Sequence, residues 1–404
     1  MTSTDAEPST DTAKPPAAPG GRLGAALLRW LRMPSRDDRA ALAVWLVTRP
    51  AMFLLVGASG WIFAAEGASQ PTGYLDTWDR WDFRHFRTIG EFGYDGNPKA
   101  GPPVPLEAFF PGFPYLLKAV HLVVGNWVVA GLLISFVCGG VAMVLLSRIA
   151  GLENPSGTGE RAVLLLLLSP SAVFLAAGYT EALFLMLALG AWLCAKRGVW
   201  HWAGILAAAS LFVRVSGAFL LAALVVEFLT AKDGRRRWKD APWLVVGGLP
   251  VLIYMGFLYR RTGDWTAWNS AQATGWDRHL VGPIDAFTNT WDRAFTTGQG
   301  TILGFTWMYR WEMLAVAVGV VLTAYLLRKR RWAEATYIGL TVASLGVSSA
   351  YFSVPRATLL WWPLWIVLAQ VTLRHKAAFT AYLALIAPFA VVFALLFGAG
   401  RWAG

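Results

Sequence analysis

Hydrophobic runs recur along this chain from residue 40 to its end, separated by short polar stretches. Inside a bilayer every backbone N–H and C=O needs a partner within the protein, so a chain of repeated apolar runs folds as a bundle of helices. Charged residues are 15% of the 404, against about a quarter in soluble domains. The expected fold class is therefore an all-α polytopic membrane protein. The net charge of +11 is gathered into short loops between apolar runs, which is the positive-inside pattern rather than a nucleic-acid footprint, and no nucleic-acid partner is expected. Cys138 and Cys194 both fall inside apolar runs, and neither a disulfide framework nor a metal site follows from them.

Residues 1–21 are Ala, Pro, Thr, Ser and Asp with few large apolar side chains, the composition of a disordered tail. Residues 23–33 read as an amphipathic helix on the cytoplasmic surface, so that 1–38 form a cytoplasmic segment and 39–404 the membrane domain. Spans are expected at 40–65, 127–147, 162–178, 182–195, 200–213, 216–229, 243–259, 311–327, 332–350, 357–373 and 377–397. Residues 109–125 are apolar but broken by Pro111 and Pro114. Loop charge at 232–239 (KDGRRRWK) and 328–331 (RKRR) marks the cytoplasmic side. Parity then requires 109–125 not to cross, which gives about eleven crossings with the N-terminus cytoplasmic. On that topology the long loops 66–108 and 262–309 share the outer face with the turns around Tyr179–Glu181, Arg214 and Arg356.

The densest polar stretch is TWDRWDFRHFRTIGEFGY at 77–94. Asp82 and His85 are three residues apart, hence on one helix face, with Trp81, Phe86 and Ile89 as apolar surroundings able to perturb a carboxylate. A single carboxylate suffices for inverting transfer of a sugar activated by phosphate, because it need only take the acceptor's proton while phosphate leaves unaided. Hydrolysis of an ordinary glycoside would require a second carboxyl. The bland alternative is an interfacial belt of aromatics with solvated charges. Arg214 and Arg356 suit a phosphate clamp, or else snorkel at helix ends. Glu181 and Tyr179 are placed to bind sugar hydroxyls, or Glu181 merely to complement a helix dipole. Trp-Asp-Arg recurs at 276–278 and 291–293 without a repeat spacing and reads as loop composition, leaving Asp277 and Asp292 as fallback bases. His279 and His375 lack partners at metal-ligand spacing, and no phosphate loop or nucleotide fingerprint is present, so neither a metal nor another cofactor is expected.

Trp81-Asp82, His85-Phe86, Gly93-Tyr94 and the run Ala108-Phe109-Phe110-Pro111-Gly112-Phe113-Pro114 resemble the first-loop signature of the PIG-V type mannosyltransferases. The likeness continues through Leu168-Ser169-Pro170-Ser171 and the block Phe174–Phe184 (FLAAGYTEALF), then Arg214 and Gly217, and is weaker around Pro355-Arg356 and Trp362-Pro363. This family adds the second mannose of the GPI anchor. The resemblance implies a GT-C fold with its active site on the extracytoplasmic face. It also implies a polyprenyl-phosphate-mannose donor and, by position, Asp82 as catalytic base with His85 orienting it or touching the acceptor. Asp79 falls outside the shared pattern and ranks second, while Trp81, Tyr94, Tyr179, Glu181, Arg214 and Arg356 are expected at the substrates. The composition is similar to that of GC-rich actinobacterial proteins, for which a membrane-embedded lipid or envelope glycan is the expected acceptor. The rival readings are a flippase for lipid-linked sugars, which would spread polar residues through the membrane midplane between repeats, and an inactive subunit of a larger transferase.

Overall fold

The computed structural model describes residues 35–63, 73–99, 104–231, 234–296 and 303–403. It divides into two units, 1–36 and 37–404; the expected tail and the helix at 23–33 lie outside the described residues. Among those described, the second unit is all-α with no strand, and a single antiparallel bridge joins Leu280 to Ser348.

The helices are α1 (Arg36–Ile62), α2 (Asp82–Phe92), α3 (Gly112–Val124), α4 (Trp127–Glu153), α5 (Thr158–Leu167), α6 (Thr180–Lys196), α7 (Trp200–Val213), α8 (Ser216–Thr230) and α9 (Pro242–Thr262). They continue with α10 (Ala267–Trp276), α11 (Pro283–Phe295), α12 (Leu303–Arg328), α13 (Trp332–Gly346), α14 (Val354–Ala357), α15 (Trp362–Arg374), α16 (Lys376–Leu385) and α17 (Ala387–Gly398). Five helical stretches are long and apolar enough to cross a membrane: Arg36–Gly60, Trp127–Glu153, Trp238–Thr262, Phe305–Arg328 and Lys376–Gly398. A sixth arises if the bent pair Val354–Leu360 and Trp362–Arg374 is one span. The eleven crossings expected from the sequence are not reached by length and composition alone.

Three expected spans are broken, each at a proline. The span at 162–178 ends as α-helix at Leu167, since Pro170 biases Ser169 to extended backbone (ψ 155°) and a 3-10 turn, Pro170–Leu175, takes over. The span at 357–373 bends by 78° at Trp361, just before Pro363, and 377–397 is interrupted at Ile386 ahead of Pro388. Proline removes a helical N–H and clashes with the preceding turn, so these sites end one helix and start the next. Gly112–Val124 is a short apolar helix that continues through Pro114 in its first turn, as short as Trp200–Val213 and Ser216–Thr230.

Ion pairs gather at the two ends of α6, buried at its first turn and partly exposed at its last. Its first turn carries Glu181, paired with Arg214 and Arg356. Its last residue, Lys196, pairs with Glu153 and Glu227; Arg235 joins Glu227, and Arg331 joins Glu153 and Glu334. Fifteen residues at about 1.5 Å of rise put roughly 22 Å between these layers, and the α6 wall between them is almost wholly buried and apolar. The basic loops named in the sequence thus converge on one end and the Asp82 region on the other.

The first long loop is ordered around α2, an amphipathic helix burying Phe83, Phe86 and Ile89. Phe83 lies where α4 meets the turn before α6: a Cβ built on Gly131 or Gly178 would stand 2.6 or 2.7 Å from its ring. Ser135 Oγ donates to the Ala177 carbonyl across the same contact. Only glycine admits so close an approach, and the fit seats the helix whose first residue is Asp82. Gly178→Val is therefore expected to lower stability by about 1–3 kcal/mol, with part regained in the Gly178→Val/Phe83→Ala double variant, as thermal unfolding of the purified protein in detergent would measure.

Candidate active site

Asp82 is the first residue of α2, where a carboxylate complements the helix dipole. The residue before it, Trp81, has φ 49° and ψ −127°, a region that a bulky side chain enters only at a cost of order 1–3 kcal/mol. The hydroxyl of Tyr179 donates to the Arg80 carbonyl at 2.8 Å, so the chain entering α2 is tied to the turn before α6. That strained entry aims Asp82 inward. Trp81 itself remains 47% exposed.

Asp82 Oδ2 accepts from Arg356 Nη1 at 2.7 Å. Arg356 Nε donates to Glu181 Oε1 at 2.5 Å, and Arg214 Nη1 donates to the same oxygen at 2.5 Å and to Thr180 Oγ1 at 2.6 Å. Arg356 is buried and also lies over the rings of Tyr179 and Phe174, 4.7 and 4.9 Å from their centroids. Asp82, Arg356, Glu181 and Arg214 form one chain of alternating charge drawn from four elements, and Glu181 at its centre is fully buried. Both arginines expected to clamp a phosphate are occupied by carboxylates.

Burial by itself would raise the Asp82 carboxyl, but the Arg356 guanidinium, its hydrogen bond, His85 and Arg214 outweigh this and hold it below the ordinary carboxylate range. Asp82 is thus ionised at neutral pH. Its side chain is 25% exposed, and Oδ1 has no hydrogen-bond partner among the described residues, so one oxygen is held and the other is open. His85 stacks on Phe109 (centroids 5.1 Å apart) and meets Trp276 edge-on at 5.8 Å. Burial among these rings lowers its pKa, opposed by Asp82, so the imidazole is neutral near pH 7.

The other expected site residues lie elsewhere. Asp79 pairs with Arg87 at 3.0 Å and Arg84 at 3.9 Å. Tyr94 belongs to a separate cluster with Tyr254 and Phe257, its hydroxyl spent on the Phe109 carbonyl at 2.7 Å. Asp277 is exposed and pairs loosely with Arg293 and His279, and Asp292 makes only a weak contact with Thr296; neither fallback base joins Asp82. No three His, Cys, Asp or Glu side chains among the described residues are grouped to hold a metal ion.

Two residues of the site escaped the sequence reading. Glu312 on α12 is fully buried and accepts from the backbone N–H groups of Ser353 (2.8 Å) and Val354 (2.7 Å), fixing the turn that carries Arg356. A lone carboxylate in an apolar run was its signal. Arg278, from the second long loop, lies within electrostatic reach of Asp82, Glu312, Arg356 and Arg214; the recurring Trp-Asp-Arg was its signal. A cavity of about 240 Å³ adjoins the site, lined by Pro170, Ser171, Trp311, Pro355, Trp365 and Tyr382 among others.

Residues 104–259 match the family described as dolichyl-phosphate-mannose-protein mannosyltransferase. This part of the chain resembles a glycosyltransferase family. The segment includes Glu181 and Arg214; Asp82, Arg278, Glu312 and Arg356 lie outside it. GPI alpha-1,6-mannosyltransferase 2 of Mus musculus is 34% identical over 200 residues, 45% of this chain and 38% of the mouse protein. Its counterpart in Cricetulus griseus is 34% identical over 156 residues, 36% of this chain and 30% of the hamster protein. The chain spans well under half the length of these relatives, and they bear out the likeness read from its motifs. Two solved structures are similar over most of the chain. Arabinosyltransferase EmbB from Mycobacterium smegmatis has TM-score 0.41 and 17% identity, covering 90% of this chain and 32% of that one. The Archaeoglobus fulgidus oligosaccharyltransferase has TM-score 0.41 and 14% identity, covering 89% and 53%.

Removing the shared carboxylate leaves a buried guanidinium short of a partner, which costs about 3–5 kcal/mol. Glu181→Gln is expected to fall near the lower end of that range, because Gln still accepts one hydrogen bond. Asp79→Asn, in a more exposed pair, should change stability by less than about 1 kcal/mol. Denaturant titration of the two variants beside wild type measures the contrast.

Proposed function

We propose that this protein is a membrane glycosyltransferase of the GT-C type. In this reading it moves mannose from polyprenyl-phosphate-mannose to a lipid or glycan acceptor, with inversion, at an extracytoplasmic face. The observation that carries the proposal is Asp82, an ionised carboxylate with one oxygen held by Arg356 and the other open, at the polar end of an apolar bundle. The family match and the mannosyltransferase relatives support the sugar and the reaction class. The charge layer at the opposite end of α6 supports a cytoplasmic N-terminus through the positive-inside rule.

The reaction is a single displacement. Asp82 Oδ1 takes the proton of the acceptor hydroxyl as that oxygen bonds the anomeric carbon, and the carbon–oxygen bond to phosphate breaks with its electron pair leaving on phosphate. Phosphate is a good enough leaving group to need no protonation. Arg356 keeps Asp82 ionised and fixes its direction, while neutral His85, packed between Phe109 and Trp276, borders the acceptor. The apolar cavity beside Pro170 and Pro355 takes the start of the prenyl chain. A flippase has less support, because the ion-pair clusters lie at the two ends of α6, whose middle is apolar, and Arg49 is the buried charge within α1 that departs from this pattern.

General-base catalysis contributes about 10²–10⁴-fold. Asp82→Asn is expected to lose transfer by at least that range while remaining folded, as measured with radiolabelled polyprenyl-phosphate-mannose in membranes; retained turnover would remove Asp82 from the role. The active form of Asp82 is the anion and its pKa is depressed, so the acid limb of kcat/KM should lie below the ordinary value of about 3.9. Arg356→Gln removes the main cause of that depression and leaves burial unopposed, so its limb should move to higher pH. Arg356→Lys, which keeps the charge, should move it less.

A further inference from the structure

A phosphate-linked donor needs a cation that is not already neutralised, and the quartet around Glu181 has none to spare. Arg356 contacts two carboxylates, and Arg214 contacts Glu181 and Thr180. Arg80 is closed off: its Nη2 faces the Gly398 carbonyl, Gly400 packs against its guanidinium, and its Nε is sealed without a partner. Glu312 is used by backbone N–H groups.

Arg278 differs from all of these. Among the described residues its side chain makes one hydrogen bond, from Nη2 to the Phe352 carbonyl at 2.9 Å, and its guanidinium lies 5.0 Å from the centre of the Phe352 ring. It forms no ion pair among the described residues, and none of its remaining nitrogens is sealed away from open space. Burial lowers its pKa, Asp82 and Glu312 act against that, and Arg356 and Arg214 act with it, so it is a partly desolvated cation within electrostatic reach of Asp82, two residues after the Trp276 ring that meets His85. Such a group is costly to keep without an anion.

Its backbone is fixed on both sides. The Arg278 N–H donates to the Gln272 carbonyl at 3.2 Å, Ser349 N–H to the His279 carbonyl at 2.9 Å, and Val281 N–H to the Val347 carbonyl at 2.9 Å; Ser349 Oγ donates to the Asp277 carbonyl. The preceding helix α10 is strapped to the first loop, since Trp268 Nε1 and Gln272 Nε2 both donate to the Ala108 carbonyl at 3.2 Å. The guanidinium is therefore held ready, with little motion left to lose on binding an anion.

We infer that Arg278 is the residue that binds the phosphate of the lipid-linked donor, its open guanidinium edge meeting the phosphate oxygens across from Asp82. The inference rests on the donor class proposed above and assigns it a seat on the second long loop rather than on Arg214 or Arg356. Guanidinium suits the task because its planar fork meets two oxygens at once.

The test is binding of geranyl phosphate against geraniol to the full chain in nanodiscs, by titration calorimetry, alongside a transfer assay on wild type. Wild type should favour the phosphate by tenfold or more. Arg278→Gln should lose that preference with its melting temperature unchanged. Arg278→Lys should keep part of it, as a point charge without the fork, and provides the reading if the Gln variant does not fold. Asp82→Asn should retain the preference. An undiminished preference in both Arg278 variants, with wild type transferring sugar, overturns the inference and leaves the enzyme reading standing. No preference in wild type overturns both.

Discussion

The structure depends on one buried carboxylate shared by two arginines. Taking Glu181 out of water costs several kcal/mol, which is offset only if its partners are close and well directed. Arg356 and Arg214 both reach one oxygen of Glu181, and Arg356 continues to Asp82. These four residues join α2, α6, the turn before α8 and the broken segment around α14. Each of those elements would otherwise present an uncompensated charge at the edge of an apolar bundle. The pairing thus fixes the relative position of elements that share little other polar contact. It also sets the state of Asp82, because the ion that anchors the bundle is the ion that keeps the carboxylate ionised.

Much of this end of the molecule could be read from residue types. Charges are rare enough in the apolar runs that Glu181, Arg214 and Arg356 stand out against their neighbours, Asp82 was marked within the densest polar stretch by its spacing to His85, and the structure brings the four together. The block at 174–184 is legible down to its glycine: Gly178 admits Phe83, Tyr179 holds the Arg80 carbonyl, and Thr180 and Glu181 receive Arg214. Less legible were positions where a local signal has two meanings. Tyr94 sits beside the motif, yet its hydroxyl serves the first loop's own packing. Arg278 carries the same Trp-Asp-Arg pattern as the outlying copy at 291–293, and only the tertiary path of the loop separates them. Glu312 was hidden by a span assigned on hydropathy, where one carboxylate barely changes the average.

Helix lengths show the same division. Hydropathy found where the apolar segments are, while the prolines at 170, 363 and 388 determined where they break. Those breaks have positional effects. The 3-10 turn after Pro170 brings Phe174 under Arg356, and the bend at Trp361 separates the turn bearing Arg356 from the apolar helix behind it. A straight span through either place would carry the arginine and its aromatic support apart. Non-helical backbone is tolerated at membrane depth where protein surrounds it, and the buried stretch 171–177 meets that condition.

The spacing of the charge chain along the sequence bears on how the molecule is made. Arg356 follows Asp82 by 274 residues and Glu181 by 175. During synthesis, then, most of the bundle exists before the cation that neutralises both acids has left the ribosome. Until that point α2 can be seated by Phe83 between Gly131 and Gly178, but its first carboxylate lacks the Arg356 partner. Closure of the charge chain around Asp82 therefore waits on a residue far along the chain, Arg356.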